Sequence, residues 1–405
     1  MGMKKGYEGI MGFISDVAKV WLEELKAIFK DWGVITFFVL LPLAYPVLYA
    51  FIYTNEVARE VPMVVVDDNN SSLSREFIRK VDGSAEVKIV AHCTDMKEAE
   101  RMIWDDEAYG IIYFPSDFSR KLEFTREQSA VMFYSDMSGL LFYKAMLITL
   151  TEVSLDMGAE IQTKNLTNVT AHEANQTVHT ILSSEVNLFN PKGGFGSFLI
   201  PAIMILLIQQ ALLLGVGMLT GTAKEGTNRY TTLNLDHRPL HGVFRIVLGI
   251  ASAYLMIFMV NSVWLLRIIP KLFHFPMIGD PMHIALFVLP YLLAVIFFSI
   301  AMSAFIRERE TPFILFVFTS VPLLFLSGIS WPESAVPMGW KYFSYLFPST
   351  FGIQGFVRLN TAGALLSDVK PMFYGLWIQA AGYYILSILL FAYVRYKHTK
   401  KKRQG

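Results

Sequence analysis

Few residues in this chain stand at spacings that could do chemistry, and most of those spacings exclude a reaction. Glycines 215, 217 and 221 are close together, but the lysine-serine pair of a phosphate-cradling GxxxxGK[ST] loop does not follow them. No such loop occurs anywhere in the chain, so ATP hydrolysis by a P-loop is not expected. His172 and His179 share a helical face, with Glu173 beside the first, and at seven residues apart they form a poor chelate. Asp67, Asp68, Asp117 and Asp136 fall at strand ends or helix starts, where aspartate serves turns and caps. No serine, cysteine or histidine stands with a base in the manner of a nucleophile, which disfavours a membrane-embedded hydrolase. The single cysteine, Cys93, excludes an intrachain disulfide framework and a multi-thiolate metal site.

What remains is polarity placed where it is costly. Gln209 and Gln210 interrupt the apolar run Phe198 to Leu219, and Asn261 and Ser262 interrupt another. Side chains of this kind facing lipid are expensive, so they are expected toward other helices or along a polar substrate path. Plain helix-to-helix hydrogen bonding is the simpler of the two readings. Five residues past Leu219 comes Lys224-Glu225-Gly226-Thr227, charged and glycine-hinged, and a second charged run, Arg307-Glu308-Arg309-Glu310, stands farther on.

The elements that must position these residues are read from hydropathy. The chain has 405 residues, 54% hydrophobic and only 17% charged, against about 25% charged in soluble domains, so its composition tilts toward lipid. At about 1.5 Å per residue a helix over Phe198–Leu219 covers the roughly 30 Å hydrocarbon core. Equivalent runs are Val34–Tyr53, Phe244–Leu266, Ile284–Ile306, Pro312–Trp331 and Phe373–Val394, which predicts six transmembrane helices. Pro42 and Pro46 predict a kink in the first. Residues 8 to 31 place Ile10, Phe13, Ile14, Val17, Trp21, Leu25 and Ile28 at helical spacing, with charges opposite. Just ahead of a span, that pattern predicts an amphipathic helix in the membrane interface over residues 1–33.

Between the first two spans, residues 54–195 change to the composition of a soluble domain. Strands are expected at Met63–Val66, Val87–Val90, Gly110–Pro115 and Ala130–Tyr134. Helices are expected from Ser72 and from Asp95 to Trp104, with Ser116-Asp117 capping another. Alternating strands and helices predict an α/β domain with a largely parallel sheet. Ser138–Asn187 would form a helical stalk. Net charge is +1, which carries no argument for nucleic acid, but its distribution orients the chain. The basic tail 396–405 and Lys4 and Lys5 fall on one side if the number of spans is even, and the positive-inside rule makes that side cytoplasmic. Both termini are then cytoplasmic, and residues 54–195 lie outside.

These residues resemble the permease subunit of ABC type-2 exporters, in the subgroup with a large external domain between the first two spans. The likeness runs along nearly the whole chain. Val64-Val65-Val66-Asp67-Asp68 with Ser74-Arg75 resembles the family's opening strand and helix, and Gly110–Pro115 with Asp117-Phe118 its later strand. Asn190-Pro191 and Phe198-Leu199-Ile200-Pro201 resemble its entry into the second span. Lys224 to Thr227 resembles the charged loop where the ATPase docks, and Arg307 to Glu310 the second cytoplasmic loop. Leu326-Ser327-Gly328, Pro332, Pro337-Met338 and Pro348 resemble the proline-spaced segment after the fifth span, although the family's methionine-proline order is reversed here.

The resemblance implies one half of a dimeric channel, a homodimer or a pair with a related permease, in a bacterial inner membrane. A separate ATPase would bind the ATP and Mg, and this chain would bind no cofactor itself. It further implies export of a drug or lipid and contact with a periplasmic adaptor and outer-membrane channel. By the same resemblance Lys224, Glu225, Gly226, Thr227, Arg307 and Glu308 would couple to the ATPase within the loops near 220–243 and 306–311. The segment 332–360, rich in aromatics, is expected to dip into the outer leaflet as an external gate with Gly328, Pro332, Pro337 and Pro348. The competing reading is a non-transporting receptor or scaffold acting through its external domain. Six spans with short loops argue against it.

Overall fold

The computed structural model describes residues 2–53, 57–125, 127–135, 139–165, 189–190, 194–225 and 239–404. The chain forms two compact units, Met1–Glu56 with Asn187–Gly405, and Val57–Val186.

The first helix, α1 (Gly2–Lys30), is as amphipathic as expected, but its apolar residues divide between two faces. Val20 and Ile28 are buried in the helical core, while Ile14, Leu22 and Phe29 are exposed. Glu24, also buried, accepts a hydrogen bond from the Tyr254 hydroxyl at 2.6 Å. This helix therefore packs against protein along one side and leaves an apolar face exposed. Asp31 then caps α2 (Trp32–Ile52), accepting from the backbone N–H groups of Gly33 and Val34 at 2.9 and 3.3 Å.

Helix α2 contains a π-helical turn at Thr36–Leu40 and is regular from Leu41 to Ile52. The irregularity thus precedes the two prolines at which the kink is expected. Pro42 has no N–H to offer the Phe38 carbonyl. The Asn261 side chain supplies that donor at 2.7 Å, so the freed carbonyl is satisfied without a break.

The α/β unit comprises β1 (Val61–Asp67), α3 (Ser72–Asp82), β2 (Val87–Cys93), α4 (Met96–Trp104), β3 (Gly110–Phe114), β4 (Met132–Ser135) and α5 (Leu140–Asn165). Its sheet has the order β2-β1-β3-β4, the first three strands parallel and β4 antiparallel. Central β1 is covered on both faces, which is why it reads as an unbroken valine run. Val61, Met63 and Val65 pack under α3 and α5, and Val64 and Val66 under α4. Ser71 and Ser74 form a capping box at the start of α3, and the Ser74 hydroxyl donates to Asp67 at 2.6 Å. Lys80 on α3 holds Asp156 and Glu160 of α5, each at 2.7 Å. These two carboxylates raise the Lys80 pKa above its ordinary value. Asp117 does not cap the turn Phe118–Arg120 through its side chain, as expected; it pairs with Lys121 at 2.7 Å.

In the helical unit α6 (Phe195–Glu225) is the central element, buried almost continuously from Ile200 to Gly221. After it come α7 (Gly242–Leu272), α8 (Pro281–Ser303), α9 (Thr311–Leu326), α10 (Met338–Ser344), α11 (Pro348–Asn360) and α12 (Lys370–Gln404), of which α8, α9 and α11 pack most closely on it. Among the described residues five helices are long and apolar enough to cross a membrane: α2, α6, α7, α8 and α12. The fifth expected span, Pro312–Trp331, is instead α9 with 16 residues. At about 1.5 Å each it reaches roughly 24 Å, short of the roughly 30 Å core.

Candidate functional site

The two charged segments that stand apart in sequence meet at one end of the helical unit. Helix α6 does not stop at Leu219 but continues to Glu225, so Lys224 and Glu225 belong to its last turn and not to a loop. The Lys224 ammonium donates to the carbonyls of Ser303 and Ala304 at 3.1 and 3.0 Å, and also to that of Ile306. Ser303 and Ala304 stand at the C-terminal end of α8, where a cation is favoured by the helix dipole, and the Ser303 carbonyl also accepts the Ile306 backbone N–H at 3.2 Å. One turn residue on, the Glu225 carboxylate accepts the Arg309 backbone N–H at 2.8 Å.

Arg309 closes the corner. Its guanidinium donates to Asp31 at 2.7 Å and to the Thr222 hydroxyl at 3.3 Å, so the cap of α2, the end of α6 and the 304–310 connection form one network. Gly221 allows this approach, since a Cβ there would stand 2.7 Å from the Arg309 Cα. Arg307, Glu308 and Glu310 remain exposed on the outer side of the corner. Gly226 and Thr227, with the rest of 226–238, lie outside the described residues, as do His172 and His179. Sequence reasoning named both charged runs but missed Asp31 and Thr222 as their partners. Asp31 carries a local signal, an acid immediately before an apolar helix, but nothing in the sequence ties it to Arg309.

The four polar residues inside apolar runs are not brought to one path. The Gln209 side chain accepts the Ser349 backbone N–H at 2.8 Å, at the start of α11, and Gln210 donates to the Thr319 hydroxyl at 3.3 Å. Asn261 is spent on Phe38, as above. Ser262 is buried, and its hydroxyl has no hydrogen-bond partner among the described residues.

Of the four residues expected at a gate, the prolines each begin an element. Pro332 precedes the 3-10 turn Glu333–Ala335, Pro337 precedes α10, and Pro348 opens α11. Gly328 has φ +87°, a backbone that other residues adopt only with strain. The turn is held by Lys341 and Glu333 at 2.8 Å and by the Tyr345 hydroxyl donating to Glu333 at 3.0 Å. The short helices expected here are present, and α11 is buried against α6 and α8.

Residues 32–390 match the family described as ABC-2 family transporter protein, a span that takes in the charged and polar contacts above apart from the first helix and Asp31. The chain belongs to that family. It is therefore a multi-pass membrane protein of the permease type, the membrane component of an ABC transporter and not its catalytic part, and the family implies an ABC ATPase as partner. No curated protein matches the chain.

Proposed function

We propose that this chain is the transmembrane subunit of an ATP-driven exporter, that it moves a hydrophobic or amphipathic substrate such as a drug or lipid, and that a separate ATPase docks on the corner built by Asp31, Lys224, Glu225 and Arg309. The observation that carries the reading is the convergence of both charged segments on one end of the helical unit. Force delivered to exposed Arg307, Glu308 and Glu310 passes through the Arg309 network directly into the ends of α2, α6 and α8. The mixed charges suit a complementary protein surface. In this reading α9 completes six spans together with the turn that follows it, and both termini lie in the cytoplasm of a bacterial inner membrane. The α/β unit then lies outside, available to a periplasmic adaptor and outer-membrane channel. Two copies, or this chain with a related permease, enclose the path. Gly328, Pro332, Pro337 and Pro348 shape the gate at its outer end.

The test is co-purification of the permease with its ATPase, followed by transport from reconstituted vesicles. Glu308→Ala should weaken retention of the ATPase, whereas Glu225→Ala should retain it and uncouple hydrolysis from export by loosening the Arg309 connection. If both variants keep the ATPase and export at the wild-type rate, coupling lies elsewhere.

A further inference from the structure

Away from the charged corner, a half-open groove of about 260 Å³ runs between α7 and the first half of α8. Its walls are apolar, with Met259, Val263 and Leu266 on one side and Ile284, Val288 and Leu292 on the other. Met259 and Val263 are 51% and 58% exposed, so the groove opens to the surroundings of the helical unit. Its length is that of one leaflet. From Pro281 to Leu292 a helix rises roughly 16 Å, against about 15 Å for half of a hydrocarbon core.

Two polar features break the apolar lining. Arg267 lines the groove at the end where α7 finishes, and Lys271 follows one helical turn later. Both are exposed, and neither side chain has a carboxylate partner among the described residues. The acid nearest in sequence, Asp280, is engaged in capping α8 through the Met282 N–H and sits 3.6 Å from His283. Ser262, five residues below Arg267, contributes the buried hydroxyl that lacks a partner. The π turn Trp264–Ile268 begins between the two and takes in Arg267. The order from the mouth inward is thus cation, hydroxyl donor, apolar trough.

That order matches one molecule end to end. We propose that the groove holds a single anionic glycerophospholipid, with its phosphate at Arg267 and Lys271, an ester carbonyl accepting from Ser262, and an acyl chain along the Met259 and Leu292 walls. A zwitterionic lipid fills the same trough but gains less from the two cations, so the site selects by headgroup. The inference requires only that the helical unit sits in a membrane, and it stands whether or not the coupling corner binds an ATPase.

Native mass spectrometry of the detergent-purified full chain, with added phosphatidylglycerol or phosphatidylcholine, reads the site directly. Wild type should retain phosphatidylglycerol at least about five-fold better, the effect of roughly one basic side chain near an anionic headgroup. Arg267→Gln with Lys271→Gln should abolish that preference while some lipid of either kind remains, and Arg267→Lys should keep it. Ala285→Trp, which fills the groove, should reduce retention of both lipids about ten-fold. Equal retention of the two lipids by wild type overturns the proposal, as does full retention by a properly folded Ala285→Trp variant. Should that variant melt early, an unchanged preference in the glutamine pair overturns the proposal by itself.

Discussion

Lys224 illustrates how one side chain is decided by its surroundings. A lysine at the end of an apolar helix reads as a topological marker, and a marker can be exchanged for other polar residues at little cost. Here its ammonium is instead the shared donor for the backbone carbonyls at the end of α8. Lys224→Met would remove this shared donor, leaving Ser303 only the Ile306 N–H, and should cost about 1.5–3 kcal/mol, the range for hydrogen bonds to a charged group. Thermal unfolding in detergent, followed by tryptophan fluorescence, would show an earlier transition and a shorter half-life. An unchanged transition would return Lys224 to the role of a marker. Glu225 behaves in the same way: its partner is the Arg309 backbone, 84 residues away.

At the scale of elements, the glycines of α6 set how closely its neighbours come. A Cβ at Gly215 would stand 2.0 Å from the Phe38 ring. That ring, in the π turn of α2, also packs edge-on against Tyr254 and Phe258 of α7. Gly215→Val should therefore overpack the junction of three helices and cost about 1–3 kcal/mol or more. Phe38→Ala alone leaves a cavity and costs a comparable amount. The pair should lose less than the sum of the two, because the added methyls occupy the vacated ring space. Strict additivity in measured unfolding would mean that the two residues are not in contact. Helix α1 follows a similar rule, since a Cβ at Gly249 would meet the Val20 Cβ at 2.7 Å.

For the whole molecule the decisive quantity is which side of the membrane each unit occupies. Engineered thiols answer this, and the native cysteine does not interfere. Cys93 is buried beneath α4, and burial, with Glu98 and Asp95 nearby, pushes its thiol pKa up, so it reacts slowly at neutral pH. Asn165→Cys should label in intact cells with a reagent that cannot cross the inner membrane, and Lys401→Cys should label only after permeabilisation. The reverse pattern would invert the orientation and move the charged corner away from the cytoplasm. A second expectation at this scale is that residues 57–186, with an apolar core on each face of the sheet, melt cooperatively when expressed alone.

Periodicity and punctuation determined a large part of this protein. The valine run of β1, the serine and aspartate caps of α3 and α4, and the long apolar helices are local features, and each depends only on neighbours a few residues away. The two charged runs were legible for the same reason, as departures from an apolar background. Their union was not. Arg309 and Asp31 are 278 residues apart, and a salt bridge at that separation leaves no periodic trace. In the sequence α6 reads as ending near Leu219, because a charge looks like the end of an apolar helix when its partner is unknown, whereas the helix continues to Glu225. Hydropathy makes one run of the stretch after Pro312, but it cannot sense Gly328, whose backbone turns the chain after the 16 helical residues of α9. Tertiary structure alone decided where Gln209, Gln210 and Asn261 spend their hydrogen bonds. Polar groups inside an apolar bundle must find a partner, and which partner depends on how the helices pack around α6.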